Sequence, residues 1–173
     1  MPIEEAGARM AVEEGGVRMA VVEGAKAPEF SLRDGDGRAV SLADFSGKDV
    51  ILYFYPKDDT PGCTKEACGF RDAWKDLQKL GAIVLGVSPD GSVSHQRFAT
   101  KYQLPFPLLS DPLKAVMEKY GAWGEKLMYG KKVIGVIRST VWIGRDGVVR
   151  KHWKRVAKAE DHPEEVLAAL RAA

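Results

Sequence analysis

The chain alternates continuous apolar runs with amphipathic segments. Residues 50–55 and 83–87 are apolar throughout, which is typical of central strands covered on both faces. Amphipathic residues 61–80 and 92–102 predict helices that follow these strands. A short apolar run at residues 108–109 predicts a further strand.

Turn-rich segments predict two hairpins. Residues 34–37, Asp-Gly-Asp-Gly, separate short strands at residues 30–33 and 38–41, and this pattern indicates an N-terminal β-hairpin. A second hairpin is expected from residues 137–143 and 148–153, nearer the C-terminus.

Two further helices complete the predicted order of elements. Asp111 is expected to cap a helix that begins at Pro112 and ends at Gly121. Residues 163–171 predict a closing amphipathic helix. Strand–helix alternation followed by a hairpin and a helix favours an α/β, thioredoxin-like fold, with a mixed central sheet flanked by helices.

The N-terminal residues look like an addition to this fold. We expect residues 25–173 to form the domain and residues 1–24 to form a flexible extension. Residues 9–15 are echoed by residues 18–24, but two copies are too few for a repeat architecture. A flexible leader, or a start upstream of the true one, is favoured over a functional arm.

Composition narrows the classes of function. A chain of 173 residues with 45% hydrophobic residues, 29% charged residues and a formal net charge of +2 is typical of one globular domain. The small net charge gives no reason to expect nucleic acid as a partner. Two cysteines favour a cytoplasmic protein over a disulfide scaffold, and no apolar run is long enough to predict a membrane partner.

Two other features have simpler explanations. Residues 150–155 interleave cations with aromatic side chains, as some nucleic-acid surfaces do, but an exposed strand end is the favoured interpretation. His95, His152 and His162 lack metal-ligand spacing relative to the cysteines, so neither a metal nor another cofactor is expected.

The two cysteines form the most informative motif. Cys63 lies in the first turn of the predicted helix that follows the strand at residues 50–55. Unpaired backbone N–H groups and the helix dipole favour a thiolate there. Cys68 follows about 140° further round the helix and about 7.5 Å along its axis. Because a disulfide needs Cα atoms within about 7 Å, we expect the first turns to unwind if the two cysteines are joined.

These residues resemble the active-site signature of the peroxiredoxins. Pro56, Thr60 and Cys63 match the pattern Pro-x-x-x-Thr-x-x-Cys, and cysteines five residues apart resemble the bacterioferritin-comigratory-protein (PrxQ) subfamily. Residues 104–111 and 136–140 also match the subfamily pattern. The resemblance covers roughly residues 20 to 172.

The resemblance implies a thiol peroxidase of the atypical 2-Cys kind. Cys63 would attack a peroxide and become a sulfenic acid. The Thr60 hydroxyl and the Cys63 N–H would donate hydrogen bonds beside the sulfur, and Arg138 would stabilise the thiolate and the leaving oxygen. Pro56 would shield the pocket. Glu66 would orient Arg138, although a helix glutamate is more often simply solvated.

The same resemblance implies how the enzyme is recycled. Cys68 would resolve the sulfenic acid as an intramolecular disulfide with Cys63, for reduction by thioredoxin or a glutaredoxin-like dithiol. Similar proteins are often monomers, with weak dimers also seen, so a monomer is favoured. A redox-sensing holdase or binding module, with incidental peroxidase activity, stays as the alternative.

Overall fold

The computed structural model describes residues 21–173. Its strands, in chain order, are β1 (Ser31–Arg33), β2 (Ala39–Ser41), β3 (Asp49–Phe54), β4 (Ala82–Ser88), β5 (Leu108–Ser110), β6 (Trp123–Met128), β7 (Lys131–Val136), β8 (Ser139–Ile143) and β9 (Val149–Trp153). Its helices are α1 (Pro61–Lys79), α2 (Ser92–Tyr102), α3 (Ala115–Lys119) and α4 (His162–Ala172), with a 3-10 turn at Leu42–Phe45.

Seven of the strands form one mixed sheet, in the order β2-β1-β5-β4-β3-β8-β9. The central strand β3 pairs in parallel with β4 and antiparallel with β8. The expected α/β, thioredoxin-like fold with its N-terminal hairpin is therefore confirmed.

The sheet lies between two apolar clusters, and the strand β3 is therefore buried on both faces. Val50, Leu52 and Phe54 belong to one cluster, and Ile51 and Tyr53 to the other. The second cluster also contains the apolar face of the helix α1, which the sequence predicts to be amphipathic: Cys63, Ala67, Phe70 and Leu77, with Trp74 partly buried beside them. This packing fixes the start of α1 against the end of β3.

The helix expected from Pro112 to Gly121 is wrong at its start. Residues 111–114 form a turn instead, in which the Lys114 N–H donates to the Asp111 carbonyl at 3.0 Å. The helix α3 begins only at Ala115. The Asp111 carboxylate still accepts a hydrogen bond from the Met117 N–H at 2.8 Å, so it caps the shortened helix from further upstream.

The separate β6–β7 hairpin is absent from the sequence-based prediction, and the strand expected over residues 137–143 begins at Ser139. Most of the hairpin residues are at least partly exposed. Regular alternation of apolar and polar residues predicts a strand that is buried on one face. Because this hairpin is largely exposed, its sequence shows no clear alternation.

The expected extension falls mostly outside the described residues. Its last four residues, 21–24, lie against β9: Val21 is buried, and the Gly24 N–H donates to the Val149 carbonyl at 2.8 Å. The division into a flexible extension and a domain stays a prediction.

Candidate active site

Cys63 lies at the third position of α1, directly after the loop that leaves β3. Thr60 is the N-cap residue and Pro61 the first helical residue, where a missing N–H costs nothing. The Cys63 side chain is only 1% exposed and points into the cluster beneath α1.

Arg138 reaches Cys63 from the junction between β7 and β8. Its Nη2 group donates to the Cys63 Sγ at 3.3 Å, and its Nη1 group donates to the Glu66 Oε1 at 2.6 Å. The Arg138 carbonyl accepts a hydrogen bond from the Val156 N–H at 2.8 Å, which holds the backbone of the junction in place. One guanidinium therefore joins the sulfur to a carboxylate one turn further along α1.

Glu66 is fully buried, so the solvated helix glutamate considered as an alternative is not what the fold contains. Burial raises the pKa of Glu66 to about 7, against the lowering influence of Arg138. Burial disfavours the charged form of Arg138, but Glu66 and Cys63 outweigh it and raise the pKa of Arg138. The Glu66 Oε2 atom has no hydrogen-bond partner among the described residues.

Gly62 provides the space that the guanidinium occupies. A Cβ atom at Gly62 would lie 3.3 Å from the Arg138 Nη2 atom, which is a tight contact. Glycine at this position therefore lets the cation lie against the first turn of the helix.

The structure places Thr60 and Pro56 in the loop that precedes the cysteine. The Thr60 hydroxyl donates to the Lys57 carbonyl at 2.8 Å, and Thr60 is the N-cap residue of α1 without a side-chain hydrogen bond to the helix. Pro56 lines a groove of about 710 Å³ that Arg138 also lines. The other lining residues are Glu125, Lys126, Leu127, Met128, Lys132, Val136, Ile137, Arg155 and Val156.

Lys126 is a cation of this groove that the sequence-based analysis misses. Its Nζ donates to the Val136 carbonyl at 2.7 Å across the hairpin. Burial, and then repulsion from Arg138, lower the pKa of Lys126. Its position on a strand whose side chains are largely exposed left no pattern that would single it out.

Cys68 is half-buried, and both cysteines are free thiols. They lie on one continuous helix, Pro61–Lys79. The described structure is therefore that of the reduced pair, with the two side chains directed away from each other by the helix geometry.

Asp58 organises the loop before α1 and is also missed from the sequence. Its buried carboxylate accepts hydrogen bonds from the Tyr55 hydroxyl at 2.5 Å, the Ser94 hydroxyl at 2.7 Å and the His95 Nδ1 at 2.7 Å. The Asp58 N–H in turn donates to the Asp90 carboxylate at 2.7 Å. The loop is thereby tied to β3, to the end of β4 and to α2.

His95 completes this network inside the fold. Its Nε2 lies 3.0 Å from the Leu109 carbonyl while its Nδ1 faces Asp58, so both ring nitrogens are placed to donate to oxygen atoms. A signal existed in the sequence, since His95 precedes Phe98 by three residues on the buried face of α2. Among the described residues, no cluster of metal-ligating side chains is found, and no helix is long and apolar enough to cross a membrane.

Comparison with known proteins shows which family the chain resembles. Residues 23–152 match the AhpC/TSA family model. A Coxiella burnetii protein, whose name places it among the Bcp peroxiredoxins, is 52% identical over 145 residues, covering 84% of this chain and 95% of that protein. Peroxiredoxin Bcp of Bacillus subtilis is 44% identical over 146 residues, covering 84% of this chain and 92% of its own.

A solved protein structure is also similar to this chain. The bacterioferritin comigratory protein of Xanthomonas campestris, studied for alkyl peroxide reduction, matches with a TM-score of 0.77 and 40% identity, covering 83% of this chain and 90% of that one. Fold and site thus define a thioredoxin-fold protein with a buried cysteine held beside an arginine. The chain belongs to the AhpC/TSA family, as a peroxiredoxin of the Bcp/PrxQ group, and the resemblance seen in the sequence is confirmed.

The raised pKa of Glu66 predicts a pH-dependent stability. The folded protein holds the Glu66 proton up to about pH 7, whereas the unfolded chain releases it near 4.5. The contribution of the Glu66 carboxyl group to the free energy of unfolding is therefore fully present below pH 4.5 and is lost as the pH rises through about 7. Urea unfolding of the native chain and of Glu66→Gln should show the native chain losing stability relative to the variant over this range, by a few kcal/mol at most, since one pKa unit is worth about 1.4 kcal/mol.

Glu164→Gln, on the exposed side of α4, is the matched control and should follow the native chain at every pH. A stability difference between native and Glu66→Gln chains that is the same at pH 4.5 and pH 7.5 would contradict the assignment.

The Asp58 network predicts a separation between peroxide reaction and thiol alkylation. Asp58→Asn replaces one of the two acceptor oxygens that the buried groups share, so the loop carrying Pro56 and Thr60 should shift while Arg138 stays beside Cys63. We expect the reaction of Cys63 with hydrogen peroxide to slow by about tenfold or more. Alkylation of Cys63 by iodoacetamide should stay within about twofold of the native rate.

Asp59→Asn is the control, because the neighbouring Asp59 is exposed and contacts only the surface groups Lys101 and Tyr102. Equal slowing of both reactions in Asp58→Asn, or no slowing of either, would show that the network does not position the loop for peroxide.

Proposed function

We propose that this peroxidase reduces hydrogen peroxide and organic hydroperoxides through Cys63, with Cys68 as the resolving cysteine. The observation that supports this most is the Arg138 Nη2 group 3.3 Å from the Cys63 Sγ, with the same guanidinium held by buried Glu66. A cation fixed beside a sulfur in a site shielded from water is suited to stabilise negative charge both before and during the reaction.

In the first step, the Cys63 thiolate attacks one peroxide oxygen. A sulfur–oxygen bond forms, the oxygen–oxygen bond breaks, and the departing oxygen takes a proton to leave as water or an alcohol. Arg138 is placed to stabilise the charge that develops on this oxygen, and Pro56 borders the groove through which the peroxide would arrive. Thr60, one turn before Cys63, would contact the bound peroxide through its hydroxyl oxygen.

In the second step, the Cys68 sulfur attacks the Cys63 sulfenic acid and water leaves, so that a disulfide forms. Five helical residues span about 7.5 Å along the axis, so the turns between the cysteines must unwind. At Gly69, α1 packs directly on α4, since a Cβ atom there would lie 2.7 Å from the Pro163 Cγ. We expect this packing to limit how far the helix unwinds. A Cys63–Cys68 disulfide within an unbroken α1 would contradict this step.

Recycling requires a dithiol such as thioredoxin or a glutaredoxin-like protein, which reduces the disulfide and is itself oxidised to one. We propose a cytoplasmic location, which two free thiols suit, and a monomer as the working form.

The cysteine assignments are tested by separating single from multiple turnover. Cys63→Ser should abolish peroxide consumption, and Cys68→Ser should keep the first turnover while losing multiple turnover with thioredoxin and its reductase. Stopped-flow mixing with one equivalent of hydrogen peroxide measures the first turnover, and coupled consumption of the reductant measures the rest.

Cys68→Ala, which removes the same thiol without adding a hydroxyl, controls for the polarity that serine adds at this half-buried position and should behave as Cys68→Ser does. Multiple turnover by Cys68→Ser at the native rate would remove Cys68 from the mechanism. Native-like peroxide consumption by Cys63→Ser would favour a redox-sensing binding module with incidental activity.

A further inference from the structure

The β6–β7 hairpin concentrates exposed apolar side chains. Of the seven large apolar side chains that are exposed in the described part of the chain, four lie within residues 127–134: Leu127 is 73% exposed, Met128 45%, Tyr129 99% and Ile134 64%. The other three, Val22, Val93 and Leu113, lie on other segments. Clustering of this kind marks an interaction surface, whereas isolated exposed apolar residues do not.

At the tip of the hairpin, an aromatic residue adopts a left-handed backbone conformation that aromatic residues disfavour. Met128 and Lys131 are the last paired residues, and Tyr129 and Gly130 between them both have positive φ angles, 54° and 77°. Such two-residue turns favour Asn followed by Gly, because a bulky residue is strained in the left-handed region. A fully exposed tyrosine thus occupies a turn position whose backbone conformation asparagine would adopt with less strain.

Apolar and cationic side chains occupy both faces of the hairpin. Leu127 pairs with Lys132 on one face, and Met128 pairs with Lys131 on the other. The only acidic residue of the hairpin is Glu125, and its carboxylate lies 3.7 Å from the Lys132 Nζ. The tip therefore presents exposed apolar side chains next to Lys131 and Lys132.

This distribution identifies the kind of partner. Residues 127–132 are all exposed, so side chains on both faces of the hairpin are accessible near the tip. A protein partner would cover one face, whereas an anionic lipid surface would surround an inserted tip and also attract the lysines. A second copy of this chain would bring like charges together. We propose that the tip of the β6–β7 hairpin, residues 127–132, binds anionic lipid surfaces.

The sequence predicts no membrane partner because it lacks a spanning segment, whereas the hairpin tip would make a peripheral contact, which needs no such segment. Leu127, Met128 and Lys132 also line the groove that reaches Pro56 and Arg138. If the proposed function holds, a tip resting on lipid would place that groove where hydroperoxides of lipids are formed. The binding itself does not depend on the proposed chemistry.

Flotation of the full chain with vesicles tests the surface directly. The chain is mixed with vesicles of phosphatidylcholine alone, or of phosphatidylcholine with phosphatidylglycerol, and the bound fraction is measured. We expect binding to the anionic vesicles and a reduction of about fivefold or more in Tyr129→Asn and in Lys131→Glu. Because asparagine suits the left-handed position, Tyr129→Asn should keep the hairpin folded, and its thermal midpoint verifies this.

Two matched controls lie elsewhere on the surface: Leu113→Ser removes another exposed apolar side chain, and Lys48→Glu reverses another exposed charge. Both should bind as the native chain does. The same measurements in a Cys63→Ser background, which lacks the proposed nucleophile, keep the result independent of the proposed function. A native chain that does not float with anionic vesicles overturns the proposal and leaves an acidic protein surface as the partner to seek. Binding that is equal in the hairpin variants and the native chain also overturns it.

Discussion

The site depends on one buried contact, between the carboxyl group of Glu66 and the guanidinium of Arg138. A carboxylate with no exposure to water is unfavourable unless a cation is held against it, and the Arg138 Nη1 lies 2.6 Å away. The second amino group of the same planar guanidinium is thereby directed at Cys63. Lysine has one donor centre and could not make both contacts in this fixed arrangement. The pair is therefore better understood as an orienting device for the cysteine than as a source of stability.

Several parts of the fold serve this geometry. The junction of β7 and β8 carries Arg138 to the first turn of α1, and Gly62 leaves room for it there. On the other side, the Asp58–His95 network fixes the loop that carries Pro56 and Thr60. Sulfur, cation and loop are thus held by separate elements that all pack on β3 or beside it, so a peroxide would meet groups that need little rearrangement.

The parts that could be predicted from the sequence are those with a local cause. The apolar run of β3, the turn residues of the first hairpin and the proline at the start of α1 each act on their own neighbourhood, and these elements lie where the pattern indicates. The burial of Glu66 could not be predicted in this way, because it arises from a residue 72 positions away in the chain. The same holds for Asp58, whose partners Ser94 and His95 meet it only in the folded chain.

The most direct test of the account is the rate of sulfenic acid formation at Cys63 in Arg138→Lys, measured in a single turnover by rapid quenching and dimedone trapping. Lysine keeps the positive charge but cannot contact Glu66 and Cys63 together. We predict slowing by about 100-fold or more, comparable to removal of a transition-state hydrogen-bond donor in other enzymes. A rate within about threefold of the native one would contradict it, because charge alone, without the shared guanidinium, would then be enough.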